Sequence, residues 1–318
     1  MFKIVKKRDL AEKLVLFEIE DERLSKVAKP GQFLIVRMDE KGERIPLTIC
    51  DFDAKKGTVT IVVQEIGVST KKINAMKEGD SFLDVVGPLG NESDLLELSK
   101  DELAKKKVIF IAGGLGAAPV YPQAKYLSEN GVKFDVIIGA KSKNLLILED
   151  EFRKLNCNVY ICTDDETYGF KGPVTNVLKM LCDGTLADAN YVTDDGKTVK
   201  GKDACEDTSK KVYNHCVAIG SAVMMKFASL MTKELGIHTI VSMNMLMVDG
   251  TGMCGACRLT VGGELKFCCI DGPEFDGHKI NYDEVMKRQM QYSTEEGRAL
   301  LKYNEGDTHH GGCGNCGG

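Results

Sequence analysis

Four potential metal ligands in one glycine-studded stretch constrain this chain more than anything else in it. The sequence runs Asp249-Gly250-Thr251-Gly252-Met253-Cys254-Gly255-Ala256-Cys257 and then Phe267-Cys268-Cys269-Ile270-Asp271-Gly272-Pro273, a spacing of D-x4-C-x2-C-x11-C. Plant-type [2Fe–2S] proteins space their cysteines C-x4-C-x2-C with a further Cys downstream. Here Asp249 stands at the first ligand position. A carboxylate oxygen is harder and less covalent than a thiolate, but it binds iron. Three cysteines and one aspartate therefore suffice for two tetrahedral irons. Gly250, Gly252 and Gly255 would let backbone N–H groups approach bridging sulfides, as in glycine-rich anion nests. Two other readings use the same residues: a structural zinc site on the thiolates, or buried inert cysteines. The glycine spacing and the upstream acid favour the cluster.

A chain of 318 residues predicts two or three domains, and 43% hydrophobic content is enough to build cores for them. The net charge of −5 and the pI of about 5.7 exclude the basic footprint of a nucleic-acid binder. The sequence contains neither a run of 18 apolar residues nor a secretory signal, so a soluble cytoplasmic protein with no membrane partner is expected. In that compartment, 12 cysteines read as ligands or free thiols rather than disulfides.

Residues 1–98 read as all-β. Leu14–Ile19, Phe33–Arg37, Thr58–Val63 and Gly79–Gly90 are strand-like runs separated by turn signals such as Lys29-Pro30-Gly31. Their spacing predicts a small barrel interrupted by one helix near residues 69–77. Gly67-Val68-Ser69-Thr70 opens that helix, and its free N–H groups suit a pyrophosphate or, equally, an ordinary cap. Arg44-Ile45-Pro46-Leu47-Thr48-Ile49 places a base and a hydroxyl at the two ends of a strand start, or forms a plain edge strand.

From residue 107 strands and helices alternate. Lys107–Ala112 reads as a strand buried on both faces. Gly113-Gly114-Leu115-Gly116 and a helix follow at once, the dinucleotide-binding arrangement. A helix is expected over 145–155, and a strand ending at Gly220-Ser221 precedes a Met-rich helix whose Met224 and Met225 read as core filling. Residues 183–211 are polar and read as a surface insertion, with Cys205 an exposed thiol. Residues 282–303 read as one charged helix, with Met286, Met290 and Leu300 as apolar contacts. The tail carries His309, His310, Cys313 and Cys316, which suit a metal or a disordered glycine-rich end. The domain boundaries expected are 1–98, 99–240, 241–282 and 283–318.

The order of barrel, nucleotide fold and [2Fe–2S] segment, over roughly 280 residues, resembles the ferredoxin–NADP reductase superfamily. Within it the chain is similar to the branch of dihydroorotate dehydrogenase electron-transfer subunits, and there to the small subunits of NADH-dependent ferredoxin:NADP oxidoreductases. The segments that carry this likeness are Arg44–Ile49, Cys162–Gly172 and Val248–Gly277. The dihydroorotate branch has Cys where this chain has Asp249, and the small-subunit branch has an acid.

The resemblance implies a β-barrel FAD domain, an α/β nucleotide domain and a small [2Fe–2S] domain. It assigns the isoalloxazine and ribityl wall to Pro46, Leu47 and Thr48, continued by Val62, Val63 and Gln64. It assigns the FAD pyrophosphate to Ser69 and Thr70, the NAD(H) phosphates to Gly113, Gly114 and Gly116, and the nicotinamide surroundings to Gly220 and Ser221. It assigns the cluster to Asp249, Cys254, Cys257 and Cys269, the last chosen over Cys268 by its distance to Asp271-Gly272-Pro273. The implied partner is a larger flavoprotein subunit with FAD and [4Fe–4S] clusters, in a heterodimer or larger assembly that reaches ferredoxin indirectly. One departure is that Arg44 lies four residues before Thr48 and Leu47 replaces an aromatic, where the superfamily sets Arg two residues before an aromatic and three before Ser or Thr. The rival functions are the electron-transfer subunit of an NAD-dependent dihydroorotate dehydrogenase and a non-catalytic zinc scaffold.

Overall fold

A computed structural model describes residues 2–305. The expectation for His309, His310, Cys313 and Cys316 lies outside the described residues.

The N-terminal strands are β1 (Phe2–Ala11), β2 (Leu14–Glu20), β3 (Phe33–Arg37), β4 (Ile45–Asp53), β5 (Thr58–Gln64), β6 (Ser81–Phe82) and β7 (Asp84–Leu89). They form one antiparallel sheet in the order β6-β1-β2-β5-β4-β3-β7. Its two edge strands flank Leu83 in the chain, so a single bent segment joins both edges and nearly closes the barrel. Alternate residues, among them Phe17, Ile19, Leu34, Ile61 and Val63, point inward and are buried. Two helices interrupt the barrel where one was expected. The unforeseen one, α1 (Glu22–Val27), spans six residues, too short for a periodic signal. Asp21 caps it by accepting from the Leu24 N–H at 2.8 Å, and Leu24 plugs the barrel end. The other helix, α2 (Val68–Ala75), follows β5 as expected.

After α3 (Lys100–Ala104) comes the α/β sheet: β8 (Val108–Gly113), α4 (Ala117–Glu129), β9 (Phe134–Ala140), α5 (Glu149–Arg153), β10 (Cys157–Thr163), β11 (Gly169–Lys171) and α6 (Val174–Asp183). The chain continues through β12 (Asn190–Val192), β13 (Thr198–Lys200), α7 (Gly201–Ala204), β14 (His215–Ile219), α8 (Ala222–Glu234) and β15 (His238–Ser242). The helix expected over 145–155 is the shorter α5, because Leu148 takes a left-handed φ of 60° just before it.

The excursion from residue 243 to 273 holds a hairpin, β16 (Arg258–Val261) and β17 (Glu264–Phe267), and the turn α9 (Cys268–Asp271). The chain then returns to the sheet as β18 (Glu274–Asp276), antiparallel to β15. The full order is β13-β12-β11-β10-β9-β8-β14-β15-β18. The cluster stretch is therefore a long loop whose far end is stitched into the nucleotide sheet.

The segment 183–211, expected as a surface insertion, is mostly exposed and builds the edge of the sheet. These residues extend the sheet through antiparallel β12 and β13. Leu186 and Tyr191 are buried in the core, and the Tyr191 ring meets Phe170 edge-on at 5.0 Å. Few apolar residues in a polar run are enough when each lands on the inner face. Cys205 is half-buried rather than exposed, and burial pushes its thiol up to about 11. The expected single helix over 282–303 is two, α10 (Tyr282–Gln289) and α11 (Ser293–Glu305), with Met290 exposed at the break.

Candidate redox site

The strand order reverses between β8 and β14, since α4 leads from β8 to β9 on one side while β14 lies on the other. In open α/β sheets this switch point is where a crevice opens at the carboxyl ends of the strands. Gly113, Gly114 and Gly116 stand at the end of β8, and Gly220 and Ser221 at the end of β14. A Cβ on Gly116 would lie 1.9 Å from the Ile219 carbonyl oxygen, and one on Gly220 would lie 2.7 Å from Met224 Cε. Only glycine lets the two turns approach this closely. Ser221 caps α8 by accepting from the Met224 N–H at 3.3 Å. Met225 is buried core and half-buried Met224 packs against the same core, both as expected, with Met224 Sδ 2.9 Å from where a Gly113 Cβ would be.

The residues assigned to a flavin converge on β4, β5 and the start of α2. Pro46, Leu47 and Thr48 lie half-buried on β4, opposite Ile35, Leu34 and Phe33 of β3. Val62, Val63 and Gln64 end β5, just past the Ile49–Ile61 pair. Val62 and Val63 are both buried and Gln64 is exposed; the Val63 side chain sits in the barrel core, so its backbone is the part left for a ligand. Thr70 Oγ1 accepts from the N–H groups of Ile66 and Gly67 at 3.0 Å, tightening the turn before α2. Ser69 Oγ is hydrogen-bonded to the Glu43 carboxylate. The first turn of α2 carries no acidic residue of its own, but the Glu43 carboxylate on Ser69 sets a negative charge beside it that an incoming phosphate must displace. Arg44 is exposed.

The cluster loop brings its four assigned residues together as two pairs. Cys254 Sγ donates to Asp249 Oδ1 at 3.3 Å, and Cys257 Sγ lies 3.3 Å from Cys269 Sγ. Metal–ligand bonds of about 2.0–2.3 Å in a tetrahedron set ligands about 3.3–3.8 Å apart. Each pair is thus spaced close to that of two ligands on one ion. Met253 and Cys254 N–H groups donate to Asp249 Oδ2 at 2.9 and 3.1 Å, and the Thr251 N–H donates to Oδ1 at 3.2 Å. Burial opposes ionisation of Asp249, but hydrogen bonds from Cys254 and Thr251 prevail and hold it down at about 2. Burial, with Cys257 beside it, pushes the Cys269 thiol up to about 12, so a metal there displaces a proton. Gly250, Gly252 and Gly255 all take left-handed φ of 63–84°, which bends the loop around its ligands. Cys268 faces away, its thiol donating to the Met243 carbonyl at 3.0 Å inside the core. The donor set fits a [2Fe–2S] cluster in chemistry and in spacing.

The loop also touches the barrel. A Cβ on Gly250 would meet Ile35 Cδ1 at 2.6 Å and Leu89 Cδ1 at 3.0 Å. Ile35 is the strand partner of Pro46, so the cluster loop packs against the strand next to the β4 residues expected to face a flavin. The Asn91 N–H donates to the Gly272 carbonyl at 2.7 Å, fixing that approach from the other side.

Barrel, switch-point crevice and iron–sulfur loop together define a ferredoxin–NADP reductase-like redox chain. A family model described as the iron-sulfur cluster binding domain of dihydroorotate dehydrogenase B matches residues 244–281. A Clostridium beijerinckii protein, described as an uncharacterized protein in adh 3'region, is 53% identical over 315 residues, 99% of this chain and 98% of that one. A Thermotoga maritima homolog of the dihydroorotate dehydrogenase B (NAD(+)) electron transfer subunit is 41% identical over 293 residues, 92% of each chain. A chain from a structure of the NADH-dependent reduced ferredoxin–NADP oxidoreductase, titled as giving insight into flavin-based electron bifurcation, superposes with a TM-score of 0.80 at 38% identity, covering 96% of this chain and 98% of that one. This chain belongs to the family of dihydroorotate dehydrogenase B electron-transfer subunits and their homologues.

Proposed function

We propose that this chain is the electron-transfer flavoprotein subunit of a flavin-based electron-bifurcating, NADH-dependent ferredoxin:NADP oxidoreductase. The observation that carries this reading is the contact of the cluster loop, through Gly250, with Ile35, the strand partner of Pro46. It seats the cluster loop directly against the strand that pairs with Pro46. Bound FAD would couple the two-electron chemistry of a nicotinamide to the one-electron chemistry of the cluster.

The chain's own residues bind, orient and shield. Gly113, Gly114 and Gly116 leave room for dinucleotide phosphates, and Gly220 and Ser221 face the nicotinamide across the crevice. Pro46, Leu47, Thr48, Val62, Val63 and Gln64 form the isoalloxazine wall, and the N–H groups at Ser69 and Thr70 take the pyrophosphate. Asp249, Cys254, Cys257 and Cys269 would hold the cluster, which would supply one-electron transfer. For the nucleotide we propose NAD(H). Of Lys141, Ser142 and Lys143, the residues that could accept a 2′-phosphate, Lys143 pairs with Asp194 at 2.8 Å and lies over the Tyr168 ring at 5.5 Å, while Lys141 is exposed. Binding of NADH and NADPH to the purified chain tests this, and a clear NADPH preference overturns it.

The partner is a larger flavoprotein subunit with FAD and [4Fe–4S] clusters, through which electrons reach ferredoxin. Met253, Val248 and Ile270 are exposed apolar residues of the loop and its flank, with Met253 89% exposed, as a docking rim requires. No helix among the described residues is long and apolar enough to cross a membrane. We place the chain in the cytoplasm because ten described cysteines are free. Relatives named for dihydroorotate dehydrogenase favour a second reading, the electron-transfer subunit of that enzyme. Purification with whatever co-elutes, followed by cofactor analysis, decides. A partner carrying FAD and [4Fe–4S] supports the first reading, an FMN-bearing orotate-reducing partner the second. A colourless zinc protein sinks both.

A further inference from the structure

At the opposite end of the nucleotide sheet from the glycine crevice, three residues far apart in sequence meet. His215 and His238 are the first residues of the parallel strands β14 and β15 and are paired in register. Their rings lie 5.3 Å apart. Asp94 reaches them from a short 3₁₀ turn, Asp94–Leu96, in the segment that links the barrel to the α/β domain. His215 Nε2 is 3.5 Å from Asp94 Oδ1, and His238 Nε2 is 3.7 Å from Asp94 Oδ2. One ligand atom from each of the three lies within 4.8 Å of the others.

The unexpected feature is the burial of polar atoms without partners. His215 is fully buried, yet neither ring nitrogen has a hydrogen-bond partner, and buried Asp94 Oδ1 also lacks one. Native interiors pair such atoms with protein, water or an ion. His238 is 48% exposed on its side chain, which leaves a solvent-facing side from which a metal enters and a water completes its shell. Two imidazoles and one carboxylate with a position left open form a recurrent zinc donor set. Metal–ligand bonds of about 2.0–2.2 Å set tetrahedral neighbours about 3.3–3.6 Å apart, close to the 3.5 and 3.7 Å from the two imidazoles to the Asp94 oxygens.

We propose that Asp94, His215 and His238 form a second metal site, for a single divalent ion of the zinc class, separate from the iron–sulfur loop. The site ties the interdomain segment to two strands of the nucleotide sheet, so its role is structural. It involves no residue of the flavin, nucleotide or cluster machinery.

The test uses the full chain with flavin and cluster in place, dialysed against limiting zinc chloride. Zinc and iron are measured together, and zinc X-ray absorption reports the ligand atoms. The expected result is one zinc per chain with a first shell of nitrogen and oxygen only, and no loss of iron. His238→Gln and Asp94→Asn should each weaken that uptake at least 10-fold while flavin and iron contents stay constant. His238 is solvent-facing, so its variant tests the site without opening the core. Zinc held through sulfur alone, or zinc uptake unchanged in both variants, overturns the proposal.

Discussion

The carboxylate of Asp249 receives the Cys254 thiol at 3.3 Å, and the loop N–H groups of Met253 and Cys254 point at the same carboxylate. The position is built for an anion and lies beside an exposed thiol. Replacing Asp249 with Cys should therefore keep the cluster, with iron and sulfide contents unchanged. Its potential should move by about 59 mV or more, a decade in a one-electron equilibrium constant. A redox titration followed by EPR reads this directly. An unmoved potential would mean that residue 249 does not bind iron.

Cys268 and Cys269 are neighbours in sequence with opposite surroundings. Cys268→Ala should leave iron content intact and lower stability by about 1–2 kcal/mol, from a small cavity and the lost bond to the Met243 carbonyl. Cys269→Ala should lose the cluster. Iron analysis of the two proteins separates the roles, and the reverse pattern would move the fourth ligand to Cys268.

Gly116 and Gly114 differ in the same way. Gly116→Ala forces a Cβ against the Ile219 carbonyl at 1.9 Å, so β8 and β14 must part. A loss of about 3 kcal/mol or more and at least 10-fold weaker NADH binding are expected. Gly114 has no neighbour within 4 Å of a Cβ but a φ of +55°, so Gly114→Ala should cost only about 1 kcal/mol. Thermal melts with NADH titrations on both variants make the comparison.

Glu274 on β18 has Oε2 closed from solvent with no partner, while its other oxygen accepts from Gln123. Burial, then repulsion from Asp94, raises its pKa from 4.5 to about 7. Between those values the native chain holds a proton that the unfolded chain has released. Stability from this group is complete below about pH 4.5 and is lost as pH rises through about 7, by at most about 3 kcal/mol at 1.36 kcal/mol per unit. The melting temperature of the wild type should therefore fall relative to Glu274→Gln between about pH 5 and pH 8. Parallel curves would remove Glu274 as the cause.

What was legible in the sequence was local. The C-x2-C spacing with its glycines, the buried run Lys107–Ala112 followed by Gly113-Gly114-Leu115-Gly116, and the β-rich runs and turn signals of the barrel each leave a signature within a few residues. Those signatures, with the family resemblance they support, were enough for the fold and for a list of candidate residues. Long-range placement left no such trace. The sheet-extending role of β12 and β13 rests on a few apolar residues in a polar run, and α1 is too short for a helical period to register. The meeting of Asp94 with His215 and His238 joins residues more than a hundred positions apart, and no spacing rule links them. The resemblance chose Cys269 over Cys268, but the roll of the turn that aims Cys268 at the Met243 carbonyl and Cys269 at Cys257 belongs to the packed chain. Only the tertiary packing decided these points, because burial and partner choice are properties of the assembled chain rather than of any window within it.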